Sequence, residues 1–261
     1  MSVDSFRSAV DRRLEAAVES ADRTGLSAAR AVLTECDDRW YGRLLLRSYE
    51  SVAGSASAGA VQSAAAAIEL FRGYCRLRSE LLDRAESGAA RSPSRDPTRS
   101  LLAGDYLYSA AYSELNAVDH ARSGACFETL STASSRVVEA FASHYVEPAS
   151  NSGRTLVDDT AGALGEGAAV VGATLAGVDG RWRDHFATLG HGLAVGRAVQ
   201  RALEPGAEGF HLVSDPDERR LRQYADRRLA AADDALDELS AVDVARLRPL
   251  FEDVTGDAGP G

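Results

Sequence analysis

Apolar residues recur every three or four positions along almost the whole chain, and no stretch alternates apolar with polar for long enough to make a strand. That period commits the chain to packed helices. Residues 4–22 set Phe6, Val10, Leu14 and Val18 on one face of an Arg/Asp-rich amphipathic helix. Gly25-Leu26-Ser27 breaks it, with Ser27 placed to cap the helix that follows. Further helices are expected at 40–52 and from Gly59 to Ser87, the second with a core stripe of Val61, Ala65, Ile68, Phe71, Cys75 and Leu82. Residues 88–99 hold two prolines among small polar residues and read as a loop. Helices resume at 100–118, 121–147, 156–178 and 180–204, then an irregular stretch from Pro205 to Pro216 leads into a charged helix at 217–240 and a short one at 242–254. The expectation is a single all-α domain: an N-terminal amphipathic helix over 1–24, a helical domain over 25–254 and a fraying tail over 255–261.

Composition narrows the chemistry. Among 261 residues, 39 are acidic and 29 basic, for a net charge of -10, and every basic residue is arginine. Without lysine there is no Schiff base, P-loop lysine or catalytic ammonium. The acidic balance repels nucleic acid and anionic membranes. Three scattered cysteines (Cys36, Cys75, Cys126) suit a reducing cytoplasm rather than a disulfide or zinc framework. Residues 161–178 are rich in Gly, Ala and Val but include Glu166, so they read as a tightly packed internal helix, not a membrane span. The five histidines show no metal-ligand spacing and read as ordinary surface or core residues. No strand precedes the glycines at 162, 165, 167, 172 and 177, which argues for helix packing over a phosphate loop.

Several segments resemble the trans-isoprenyl diphosphate synthase (polyprenyl synthetase) family. Ala65-Ala66-Ala67-Ile68-Glu69-Leu70-Phe71 runs on to Ser79-Glu80-Leu81-Leu82-Asp83, as that family's Ala-rich helix runs into its first D-D-x-x-D motif. Leu101-Leu102-Ala103-Gly104-Asp105-Tyr106-Leu107 through Tyr112 is similar to its L-A-G-D helix. The small-residue helix at 161–177, the segment Leu189-Gly190-His191-Gly192-Leu193-Ala194 and the closing helix from Asp217 to Leu239 follow in the family's order. The resemblance spans about residues 25–250 and implies an isoprenoid synthase helical bundle.

What the resemblance implies for chemistry is largely missing. The family holds magnesium between two aspartate-rich motifs on facing helices, where the ion neutralises a departing diphosphate. Here the first motif keeps only Glu80 and Asp83, three residues apart and able to approach one ion, with Arg76, Arg78 and Arg84 nearby to pair with them instead. The second motif falls at Arg201, Ala202 and Pro205, with Glu204 out of register. Arg43 replaces a phosphate-binding lysine, Leu46 an arginine and Asp159 another lysine, while Arg91 and Arg95 stand for an arginine pair. The expected function is therefore a prenyl synthase scaffold without catalysis, with no cofactor, acting as homodimer or as heterodimer with an active prenyl synthase. The alternative is an active prenyltransferase that joins isopentenyl diphosphate to an allylic diphosphate with magnesium on Glu80 and Asp83 and substrate on Arg43, Arg91 and Arg95. A third reading, a binder of prenyl diphosphate, requires an apolar cavity without an acidic rim.

Overall fold

The computed structural model describes residues 3–54, 58–87, 96–146, 153–203, 218–239 and 242–255, and these are helical with no strand among them. In chain order the helices are α1 (Val3–Arg23), α2 (Ser27–Glu35), α3 (Trp40–Ala53), α4 (Ala58–Ser87), α5 (Pro97–Asn116), α6 (Ser123–Tyr145), α7 (Gly153–Val157), a π-turn (Asp158–Gly162), α8 (Ala163–Leu175), α9 (Arg181–Leu203), α10 (Glu218–Glu238), a 3-10 turn (Val244–Arg246) and α11 (Arg248–Thr255).

The apolar stripes behave as the period requires. Phe6, Val10, Leu14 and Val18 of α1 are buried, as are Val61, Ala65, Ile68, Phe71 and Cys75 of α4, whereas Leu82 is half-buried near the end of its helix. Four boundaries differ from the sequence reading. Ser27 is already helical and Leu26 holds the cap position without a side-chain bond, because Gly25 at φ +81° has turned the chain one residue sooner. α5 starts at Pro97, where proline's fixed φ suits the first helical position and the Asp96 carboxylate accepts from the Arg99 amide at 3.0 Å. The expected helix at 156–178 is three pieces, with the π-turn between α7 and α8, and it stops at Gly177, whose φ of +96° ends it. The closing helix at 242–254 divides into the 3-10 turn and α11.

α8 is the central element, packing on α3, α4, α6 and α9. Its glycines set the spacing. A Cβ at Gly165 would stand 2.3 Å from the Gly190 carbonyl oxygen of α9, and one at Gly172 would stand 2.2 Å from the Leu45 carbonyl oxygen of α3. α9 in turn meets α10 through Gly192, 2.2 Å from the Arg228 carbonyl by the same measure. Backbone lies on backbone across three helix pairs, so the small residues are packing surfaces and not a nucleotide loop. Gly165→Ala should destabilise the chain by about 1–3 kcal/mol or more, since backbone cannot swing aside, and lower Tm by roughly 2–4 °C per kcal/mol. Gly124→Ala in α6, where nothing lies within 4 Å, should leave Tm unchanged or slightly raised in the same melting experiment.

Candidate functional site

The turn between α2 and α3 carries Asp38, and three arginines from two helices converge on it. Arg72 of α4 donates to Oδ1 at 2.7 Å, while Arg197 and Arg201 of α9 both donate to Oδ2, the second at 2.7 Å. α4 and α9 make no extended packing on one another, so this carboxylate is what ties them. Behind it, Glu69 sits at 3.3 Å from Arg72 and accepts from the Gly42 amide at 2.8 Å, which closes the first turn of α3. The Trp40 ring lies 5.0 Å under Arg197, and the Tyr41 ring 5.5 Å from Arg72. Burial opposes ionising Asp38, but the neighbouring Arg72, Arg197 and Arg201 overcome it and hold its carboxyl well below the usual range. Burial and the other two arginines lower Arg197. The Asp38 turn is also the strained part of the backbone: Arg39 lies in the left-handed region at φ +47°, held there by Asp11 at 2.7 Å and by the carbonyls of Leu33 and Cys36 at 2.6 and 2.7 Å.

The residues expected to form the site are dispersed. Glu80 is paired with Arg76 at 3.1 Å, and the Tyr145 hydroxyl donates to Asp83 at 2.5 Å. Arg78, expected to pair with the motif, goes to Asp105 of α5 at 2.6 Å. Arg43 reaches Asp253 of α11 at 2.7 Å. Leu46 is core. Arg91, Arg95, Glu204 and Pro205 lie outside the described residues. Arg201, which the resemblance sets at the head of the second motif, presents a guanidinium rather than an oxygen ligand, and among the described residues no three His, Cys, Asp or Glu side chains group as a metal site.

A second polar cluster surrounds the π-turn, and sequence reasoning missed it. Asp158 accepts from Arg228 of α10 at 2.6 Å, from the Tyr224 hydroxyl and from His191 Nε2 at 3.0 Å. On its other side His191 Nδ1 is 3.6 Å from Glu166, which also accepts from Arg136 of α6 at 2.7 Å. Arg136 reaches Asp159 at 3.1 Å. The His191 ring sits directly over Gly162, where a Cβ would come within 2.6 Å of it. His191 is thus no ordinary surface residue, and the Arg/Asp-rich α10 is more than a solvated face. At the start of the π-turn Asp158 faces α9 and α10 while its neighbour Asp159 faces α6. Two clefts flank the cluster. One of about 270 Å³ is lined by Glu128, Arg136, Glu166, Arg183 and Asp184 among others, and one of about 210 Å³ by Arg136, Glu139, His144 and Asp159 among others. Both have acidic groups in their linings, unlike the apolar chamber that a prenyl binder requires.

No family sequence model matches the chain, nor does any curated protein sequence. The structure does have counterparts. It has the all-α fold of the isoprenoid synthases. An isoprenoid synthase family member from Thermotoga neapolitana superposes with a TM-score of 0.71 at 19% identity, covering 95% of this chain and 97% of that one. Geranylgeranyl pyrophosphate synthetase from the archaeon Geoglobus acetivorans gives 0.70 at 17% identity, covering 90% of each. The geranyl diphosphate synthase small subunit from Antirrhinum majus gives 0.66 at 16% identity, covering 97% of this chain and all of that one. Among the described residues no helix is long and apolar enough to cross a membrane.

The cluster at the π-turn has a pH signature. Burial pushes His191 down, but bonds to Asp158 and Glu166 raise it above the ordinary 6.5. A raised histidine contributes stability in full below 6.5 and loses it as pH climbs through the folded value. Burial raises Asp158, but His191, Arg228 and Tyr224 bring it to about 2 against an ordinary 3.8, so its contribution holds above 3.8 and fades as pH falls toward 2. Melting wild type beside His191→Gln from about pH 5 to about pH 8 should show the widest Tm gap at the acid end, narrowing as pH rises. A gap that widens toward alkaline pH would mean the imidazolium is not what the two carboxylates hold.

Proposed function

We propose that this chain has an isoprenoid synthase scaffold no longer used for prenyl transfer, and that it serves as a partner or regulatory subunit of an active prenyl synthase. One observation carries the reading. Of the two helices on which the resemblance sets carboxylates, α9 presents Arg201 at the second motif and Arg197 one turn before it, α4 presents Arg72 two turns before the first motif, and all three donate to one carboxylate, Asp38. A guanidinium at the second motif disfavours a magnesium ion there. The likeness to a protein described as the small subunit of a geranyl diphosphate synthase supports the partner role. So does the surface. α5, the helix type through which the resemblance implies pairing, carries the exposed apolar side chains Leu101 and Leu102, and α6, which packs on it, carries Phe127 and Val138. The sparse cysteines, none of them in a disulfide, accord with a cytoplasmic setting.

The test has two parts. Assayed alone with isopentenyl and allylic diphosphates at millimolar magnesium, the chain should turn nothing over; steady turnover would establish the transferase reading, with Glu80 and Asp83 as its carboxylates. Mixed with the prenyl synthase of the same cell, it should co-elute and change product chain length or rate, and Leu102→Asp with Phe127→Glu should abolish co-elution at unchanged Tm. Separate elution with unaltered products would end the partner reading.

A further inference from the structure

We propose that the outer face of α10 is a docking surface for a second copy of this chain, the two helices lying antiparallel across a two-fold axis near position 228. The first reason is the order of charge along the helix. Residues 218–228 hold five arginines against two acids, whereas 229–238 hold Asp233, Asp234, Asp237 and Glu238 and no base. That order opposes the helix dipole, which favours acids at the start and bases at the end. α1 and α9 obey the rule, each with an aspartate in its first turn and an arginine in its last, but α10 has no base in its last turn. A solitary α10 gains nothing from the reversal. Two copies laid antiparallel do, because each basic half then lies on an acidic half.

The spacing is two-fold as well. Arg219 and Asp237 are 18 residues apart, Arg220 and Glu238 also 18, and Arg222 and Asp233 are 11, close to five, five and three whole turns. Each pair therefore shares one bearing on the helix, and each is centred within one residue of position 228. A two-fold axis there sets every one of these arginines opposite its acid in the partner copy. All six residues are exposed, and the buried Leu221, Ala225, Ala232, Ala235 and Leu236 lie on the other side, where α10 packs on α9. Beside the axis the exposed Ala230 leaves room for close approach. Among the described residues the four acids of the second half pair with no cation, while Arg222 is taken by Glu218 and Arg228 by Asp158. The 21 residues of α10 make a strip about 31 Å long and about 10 Å wide, roughly 300 Å² on each copy. A standard interface takes about 800 Å² from each partner, so charge and not area holds this one, and it is sensitive to salt.

Sedimentation equilibrium of the full chain at about 0.01 M and about 1 M ionic strength tests it, since the Debye length shrinks from roughly 30 Å to roughly 3 Å between them. Wild type should at least double its mass at low salt and lose that gain at high salt. Arg219→Asp with Arg222→Asp, and separately Asp233→Arg with Asp237→Arg, should each weaken the low-salt association at least tenfold at unchanged Tm, all four side chains being exposed. Mixed in equal amounts, the two variants should regain the low-salt mass of wild type, because every reversed position then faces one of opposite sign. One mass for wild type at both ionic strengths, or two variants that stay apart when mixed, overturns the proposal. Should either reversal fail to fold, Arg219→Gln, which only removes a charge, should still weaken the low-salt association, and wild-type affinity in it overturns the proposal. None of these substitutions touches Leu101, Leu102, Phe127 or Val138, so co-elution with a synthase succeeds or fails on its own account.

Discussion

Contact of backbone with backbone along α8 governs the rest of the molecule. Because Gly165 and Gly190 carry no side chain, α8 and α9 approach until the carbonyl of one lies where the other's Cβ would be, and Gly172 does the same against α3. At that separation neither helix can slide or rotate without a clash, so the direction of every side chain on α9 is fixed from one end to the other. Arg197 and Arg201 stand seven and eleven residues beyond Gly190, two and three turns along the same helix. Their convergence on Asp38 is therefore a consequence of the glycine contact upstream. The clasp in turn joins α9 to α4, two helices that scarcely pack on each other, through the turn leading into α3. Close packing places the charges, and the charges complete the bundle.

The absence of lysine acquires meaning at these two clusters. One carboxylate serves three cations at Asp38 and serves two cationic groups and a phenol at Asp158. Flat guanidiniums can stack on rings while donating at their edges, as Arg197 does on Trp40 and Arg228 does on Tyr224, at 5.0 and 5.3 Å. An ammonium is a compact, strongly hydrated point charge, and burying three of them around one acid would cost more solvation than one acid returns. The composition and the architecture agree, whichever came first.

Most helices were legible because burial writes a period into the sequence, and the stripe from Val61 to Cys75 is buried as read. Boundaries slipped where a single residue's φ decides, as at Gly25 and Gly177. The charged contacts were not legible, and the reason is physical. Asp38 and Arg201 are separated by 163 residues, and nothing in the local pattern of either marks a partner. His191 could have been found only by noticing that its helix neighbours Gly190 and Gly192 are both needed for packing, which leaves the imidazole facing the π-turn. The π-turn at Asp158–Gly162 coincides with ion pairs of Asp158 and Asp159 to different helices, contacts that no local propensity encodes. That the segments resembling aspartate-rich motifs hold no paired aspartates was readable; the arginine cluster around Asp38 was not.

That cluster decides what the connection between α4 and α9 depends on. Where a diffusible cation and its anionic ligand bridge two acidic helices, the bridge exists only as far as concentration and affinity allow, and about 2.7 kcal/mol of stabilisation needs ligand at a hundred times its dissociation constant. Asp38 is covalently part of the chain and is present in every molecule. A carboxylate of the chain itself, held by arginines of both helices, makes the connection between α4 and α9 intrinsic. Such a bundle is complete before any substrate arrives, and its outer helices keep one shape whatever the diphosphate supply. An enzyme that must open and close on substrate gains little from this. A subunit that has to present an unchanging face to a partner gains a great deal.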